Sequence, residues 1–260
     1  MPTPRVLILR APGTNCDQET AFAFEQAGGA TSLVHINRLL EQPKWIDAFQ
    51  ILCLPGGFSY GDDIAAGRIL ANQIQHHLRD AILAFKAAGK LVLGICNGFQ
   101  VLLRSGILLE EDERGALATL TGNDSGKFED RWVQLDVAAP DCVFLRGISS
   151  MYLPVAHAEG KFVTRDAAVL DALAAQGQLV LRYGTAASRG NGQAPYPANP
   201  NGSQADVAGI SDPSGRVFGL MPHPERHIDP TQHPRWMRGP LPEKGDGFAV
   251  FDNAVRFFAG

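Results

Sequence analysis

Apolar residues over the first hundred positions fall into two kinds of run, and the kinds alternate. Arg5 to Arg10 (RVLILR) is continuously apolar between charged ends and stops before Pro12-Gly13, which predicts a strand buried on both faces. Asp17 to Ala27 sets Ala21, Phe24 and Ala27 at helical spacing and closes on Gly28-Gly29. Thr31 to Ile36 and Gln50 to Leu54 predict two further strands, the second ending at Pro55-Gly56-Gly57. A long helix is expected from Ile64 to Ala88, stopped by Gly89, and a fourth strand, Leu91 to Ile95, runs straight into Cys96. Strand–helix alternation at this spacing implies an α/β fold with a mostly parallel central sheet and helices on both faces.

The pattern changes in the second half, which is richer in short strands. Trp132 to Val137, Met151 to Val155, Lys161 to Thr164, Leu179 to Tyr183 and Val217 to Met221 are expected to be extended. Ser188 to Asp206 has almost no apolar periodicity and is rich in Gly, Asn and Pro, so it reads as a long functional or disordered loop. Arg226 to Asp246 is similar in composition, and the last fourteen residues (GFAVFDNAVRFFAG) read as a closing helix. No internal repeat is present, so one domain over residues 1–260 with elaborated loops is expected.

Composition narrows the chemistry. The chain has 260 residues, 45% hydrophobic and 19% charged, enough to bury a proper core. Its net charge of −4 leaves no basic surplus for neutralising phosphates, which argues against nucleic-acid binding. No stretch approaches the roughly 20 apolar residues of a membrane span, and the N-terminus reads as a first strand, not a signal peptide. Cys16, Cys53, Cys96 and Cys142 are far apart and form no C-x-x-C pair, so neither a disulfide framework nor a structural zinc site is suggested. A reducing, cytoplasmic setting follows.

One of the four thiols has a distinctive context. Residues 91 to 98 (LVLGICNG) carry a buried strand into Gly-x-Cys-x-Gly, and Phe99, Leu102 and Leu103 then mark a helix face. That is a nucleophile elbow with cysteine in place of serine. The turn is strained and tight, so Gly94 and Gly98 must be small. The helix N-terminus favours thiolate and leaves backbone N–H groups for an oxyanion. A small buried hydrophobe is the plain alternative for Cys96, and the elbow alone does not name a reaction. The partners come from the far end of the chain, where GLMPHPER follows the strand at Val217. His223 and Glu225 lie two apart on a segment stiffened by Pro222 and Pro224, as a base and its orienting carboxylate should. Pro224 also removes the helix on which His223 and His227 would form a metal pair. His157-Ala158-Glu159 lacks the P-C-x-x-C that a zinc deaminase requires. Cys16, Cys53 and Cys142 read as structural, and His76-His77 as solvated.

GICNGFQ followed by MPHPER resembles the class I (triad) glutamine amidotransferases. APGTNCD (11–17), LPGGFSYGDD (54–63), PVAHAEGKF (154–162) and YPANPNGS (196–203) are similar to the subunits of that class that serve phosphoribosylformylglycinamidine synthases in purine biosynthesis. The resemblance spans residues 5 to about 230 and implies a flavodoxin-like sheet. It also implies a cysteine glutaminase in which Cys96, His223 and Glu225 form the triad. Asn97 and the Gly56-Gly57 turn would hold the oxyanion, Phe58 and Gln100 would line the glutamine pocket, and His157 would line that pocket or the subunit interface. No cofactor is expected in this chain. The implied partners are a synthetase subunit that uses ATP and magnesium, and a small accessory subunit. No G-x-x-x-x-G-K-[ST] loop is present here to bind ATP. Extra length in the 186–206 loop and the Pro-rich tail departs from compact family members and bears on partner contacts. A free-standing γ-glutamyl hydrolase and a non-catalytic redox sensor stay open as rivals on the triad motifs alone.

Overall fold

The computed structural model describes residues 3–62, 64–138, 141–190 and 192–259. Its first half follows the alternating pattern: β1 (Arg5–Arg10), α1 (Asp17–Gln26), β2 (Ala30–His35), α2 (Ile36–Glu41) and β3 (Ile51–Leu54). The long helix then comes in two pieces, α3 (Arg68–Gln73) and α4 (Arg79–Ala87), joined by a wider turn over Ile74–Leu78. It begins at Arg68, later than the expected Ile64, because Gly67 takes a left-handed conformation (φ 73°) that ends the preceding loop. β4 (Leu91–Ile95) and α5 (Asn97–Arg104) complete this half.

The second half adds β5 (Ala118–Thr121), β6 (Glu129–Val137), β7 (Ser150–His157), β8 (Lys161–Thr164), α6 (Ala167–Ala175) and β9 (Leu181–Tyr183). After α7 (Ala186–Arg189) come β10 (Val207–Ser211), β11 (Val217–Leu220) and α8 (Phe248–Ala259). Among the described residues nine strands make one sheet in the order β2-β1-β3-β4-β11-β10-β9-β6-β7, and β5 pairs with β8 separately. The five strands from β2 to β11 are parallel, and the second-half strands extend the sheet in antiparallel fashion. The right-handed crossover rule puts α1 and α4 on opposite faces, because β1 to β2 and β3 to β4 step in opposite directions along the sheet. α8 joins α1, with Phe24 and Phe251 edge to face at 4.9 Å.

This order places the chemistry. β4 lies between β3 and β11, and Ile95 pairs in register with Leu220. Both strands therefore end together at the same sheet edge, so Cys96 and Met221 leave it side by side. The Cys96 N–H donates to the Leu220 carbonyl at 2.8 Å. Open α/β sheets bind ligands beyond these carboxyl ends.

The segment Ser188 to Asp206 is held by side-chain amides where apolar periodicity is missing. Asp206 accepts from the Ala194 N–H at 3.0 Å and from Asn199 Nδ2 at 2.9 Å, and Asn201 Nδ2 donates to the Gly160 carbonyl at 2.8 Å. Asn199, Asn201, Ser203 and Asp206 are all buried, so the disordered alternative is set aside for this stretch of described residues.

Candidate active site

The elbow is present, and its strain is measurable. Cys96 has φ 50°, ψ −106°, a positive-φ conformation that a non-glycine residue adopts only when its surroundings enforce it. The enforcement is close packing. A Cβ on Gly98 would stand 1.9 Å from the Leu54 carbonyl oxygen, so only glycine lets α5 approach β3. Gly98→Ala is expected to cost more than about 2 kcal/mol, because the atom it meets is backbone and cannot rotate away. A urea unfolding midpoint unchanged from the parent would refute this.

His223 leaves β11 on the Pro-flanked segment. Its backbone N–H donates to the Pro154 carbonyl at 2.8 Å, tying it to β7. Its Nδ1 meets Glu225 Oε1 at 2.6 Å, and both side chains are buried. The ring's other nitrogen, Nε2, is buried without a hydrogen-bond partner. Burial opposes a charge on His223. The Glu225 carboxylate, then the nearby Cys96 and Cys16 thiols, outweigh it and hold the imidazolium well above the ordinary histidine range. The state this favours places an imidazolium beside the Cys96 sulfur. A Cβ on Gly56 would fall 2.8 Å from His223 Cε1 and 3.5 Å from Cys96 Cβ, so a bare glycine backbone is all that fits beside base and nucleophile.

Cys96 lines a cavity of about 210 Å³ together with Gly57, Phe58, Asp62, Ala66, Gln100, Ala156, His157, Ala158 and Glu159. Gly57, Phe58, Gln100 and His157, which the resemblance assigned to the substrate side, share this cavity with Cys96. Gly56 lies behind, with its carbonyl accepting from the Cys16 N–H at 3.3 Å. Asn97 is buried at the first helical position of α5, where its backbone N–H has no intrahelical acceptor. Its side chain organises the wall: Oδ1 accepts from the Ser59 N–H at 3.2 Å, and Nδ2 donates to Gln100 Oε1 at 3.0 Å. Gln100 Nε2 in turn donates to the Glu159 carbonyl at 2.5 Å.

His157 is a buried, neutral ring. Burial, then the charge on His223, pull its pKa down to about 4. Asn123 Oδ1 meets its Nδ1 at 3.1 Å and also accepts from the Gly160 N–H, so the His157 proton sits on Nδ1 and Nε2 is a bare acceptor. A stability change follows. Above pH 6.5 both folded and unfolded chains hold this ring neutral. As pH falls from about 6.5 to about 4, the unfolded chain takes a proton that the folded chain refuses. Stability then drops with falling pH by up to about 3 kcal/mol. Urea titrations at pH 7.5 and 4.5 should show that slope, and His157→Gln should flatten it. An equal slope in both proteins would refute the assignment.

Spacing did not reveal three neighbours. Cys16, read as structural, lies under the triad. Its Sγ is 3.2 Å from an Arg226 guanidinium nitrogen, and Arg226 Nε donates to Glu19 Oε1 at 2.9 Å. Burial pushes the Cys16 thiol up, against the pull of His223 and Arg226. It is 1% exposed and does not line the cavity, so it is no rival nucleophile. Cys16, Glu19, His223 and Glu225 bring possible metal-ligand atoms within 4.8 Å of one another. The Arg226 cation already lies against Cys16 and Glu19, and Glu225 is committed to His223, so the grouping serves as support for the triad. Cys53 and Cys142 are core residues, and His76 and His77 are exposed, as read. The third neighbour is Asp62, in the cavity wall.

A thiol on a strained elbow thus stands with a buried His–Glu pair at the carboxyl edge of this sheet, the set of groups that a triad-type glutamine amidotransferase uses. Residues 3–258 match the CobB/CobQ-like glutamine amidotransferase domain, and the chain belongs to that family. It is 50% identical over 254 residues, 97% of each chain, to phosphoribosylformylglycinamidine synthase subunit PurQ of Dehalococcoides mccartyi. Against the PurQ subunit of Methanococcus maripaludis it is 40% identical over 268 residues, covering 98% of this chain and 97% of that one. The solved structure of PurLQS from Thermotoga maritima matches 99% of this chain and 100% of its own, with 31% identity and a TM-score of 0.74. Within the family, then, the chain is of the phosphoribosylformylglycinamidine synthase glutaminase-subunit type. The rival readings, a free-standing hydrolase or a redox sensor, are not favoured by these likenesses.

Proposed function

We propose that residues 1–260 act as one glutaminase domain in which Cys96 is the nucleophile, His223 the acid–base and Glu225 its orienting partner. The observation that carries this is the buried 2.6 Å His223–Glu225 contact beside a thiol that lines a cavity of about 210 Å³. The Cys96 thiolate attacks the side-chain carbonyl carbon of glutamine, forming a carbon–sulfur bond and a tetrahedral oxyanion. Backbone N–H groups at Asn97 and the Gly56-Gly57 turn receive that charge. The His223 imidazolium gives its proton to the nitrogen as the carbon–nitrogen bond breaks, and ammonia leaves. Neutral His223 then takes a proton from water, whose hydroxide attacks the γ-glutamyl thioester, and glutamate departs as the thiolate reforms. Gln100, Phe58 and His157 shape the space around the substrate.

The ammonia is passed to a synthetase subunit, where ATP and magnesium drive conversion of formylglycinamide ribonucleotide to the amidine, with a small accessory subunit completing the complex. The likeness to the Thermotoga maritima PurLQS structure supports such an assembly. No helix of the described residues is long and apolar enough to cross a membrane, which agrees with work in the cytoplasm beside those partners. The direct test is labelling with 6-diazo-5-oxonorleucine. One label per chain on Cys96, blocked by glutamine, is expected. Label on Cys16 would overturn the triad.

A further inference from the structure

One part of the cavity wall comes from a short run of strained backbone. Tyr60, Gly61 and Asp62 all have positive φ, at 57°, 72° and 54°. Two of the three are not glycine, and each such residue costs on the order of 1 kcal/mol or more unless the surroundings impose it. Hydrogen bonds supply that constraint. The Gly61 N–H donates to the Phe58 carbonyl at 2.8 Å, and the Tyr60 hydroxyl donates to Gln73 Oε1 at 2.9 Å on α3. The result is to turn the Asp62 carboxylate inward.

There Asp62 Oδ1 accepts from the Gly67 N–H at 3.1 Å and from Asn97 Nδ2 at 3.2 Å. Asn97 is the residue next to the nucleophile, and the same Nδ2 bonds Gln100. One side chain thus fixes the distance of the Asp62 carboxylate from Cys96. Both donors to Asp62 are neutral, and among the described residues Asp62 has no ion pair. The Arg104 guanidinium compensates only weakly, and its ion-pair contact is with Glu159 at 3.8 Å. Burial pushes the Asp62 carboxyl up, and the Glu159 carboxylate adds to that. The cavity therefore holds an under-compensated acid, at a fixed distance from the thiol, on a wall that also carries Glu159.

We propose that Asp62 binds the α-ammonium group of the glutamine substrate. This rests on the reading of the cavity as the glutamine pocket and names the charge recognition within it. Ammonium N–H groups would donate to the carboxylate and supply the missing cation, anchoring the substrate at the end remote from its scissile amide. Selection then falls on α-amino acids, and an amide of equal length without the amine loses the contact.

The test compares glutamine with glutaramate, its analogue lacking the α-amine, in the parent complex and in Asp62→Asn. Asparagine keeps the size, the acceptor for Gly67 and the tolerance of positive φ. The parent should prefer glutamine strongly. Asp62→Asn should raise KM for glutamine about 10- to 100-fold, and the preference for glutamine over glutaramate in kcat/KM should fall by a similar factor. Asp62→Glu should recover part of the preference. Ammonia-dependent synthesis by the same complexes reports that they are assembled. If both substrates suffer equally, or if the parent does not distinguish them, Asp62 does not read the ammonium and the proposal falls. Failure of the glutamine pocket itself is told apart by 6-diazo-5-oxonorleucine: in that case Cys96 of the parent takes no label.

Discussion

Cys96→Ala in the assembled complex is expected to abolish glutamine-dependent amidine formation while ammonia-dependent formation continues at the parent rate. Removing the nucleophile of a triad leaves only the residual help of binding and oxyanion contacts, so glutamine hydrolysis should fall by at least about 10⁴-fold. The fold should survive. Alanine at φ 50° carries no more backbone strain than cysteine does, and the truncation removes one sulfur atom, which makes a weak 3.8 Å contact with the Ala156 carbonyl and faces His223. Externally added ammonium salt bypasses the thiol altogether, because it enters after the step that Cys96 performs. Steady-state rates with each nitrogen source, on the same preparation, decide the matter. Loss of both activities in an intact complex would mean that Cys96 serves the assembly or the synthetase and not glutamine hydrolysis.

How much of this was legible in the chain depends on what each residue answers to. β1, β3 and β4 were readable because they are buried on both faces, and such strands are written as unbroken apolar runs. Cys96, His223 and Glu225 were readable because strain and rigidity demand particular neighbours, namely Gly94, Gly98 and two prolines. The strand β10 was not, although it is wholly buried between β11 and β9. VAGIS is five residues long, contains a glycine and follows the polar segment ending at Asp206, so no periodicity marks it. Helices α2 and α6 and the strand β5 were missed as well, each being short or nearly uniform in side-chain size, as AAVLDALAA is. The buried amides of residues 199–206 defeat pattern reading for a different reason: a polar side chain satisfied by a distant backbone looks, in sequence, like one satisfied by water.

The site's unpredicted members share one property. Cys16 and Arg226 are 210 positions apart, and Asp62 reaches Asn97 across 35. Contacts made only when β1, β3, β4 and β11 align at one edge leave no local spacing. They do explain why MPHPER continues to arginine: Arg226 pins the end of the His–Glu segment to Glu19 on α1, so that the imidazole is held from both sides.

Glu225→Gln separates orientation from charge. Glutamine occupies nearly the same volume, so His223 stays in place, but the strongest influence raising its pKa is gone. The sign is fixed: without the carboxylate, burial dominates, the imidazolium becomes less stable, and His223 loses its proton at lower pH. At neutral pH the imidazolium beside Cys96 is then depleted. The variant's amide also competes for Nδ1 with either a donor or an acceptor, so the ring's tautomer is no longer set. kcat for glutamine hydrolysis should fall about 10²- to 10⁴-fold with KM within a few-fold of the parent, because the lost interaction acts on the reacting groups and not on substrate binding. Alkylation of Cys96 by iodoacetamide reads the same change without turnover. In the parent, the rate should hold up at neutral pH, where the ion pair persists. In Glu225→Gln it should be lower there, because the imidazolium beside the sulfur has been lost. Identical alkylation profiles in the two proteins would show that Glu225 does not sustain the charge on His223, and the pair would have to be counted as packing alone.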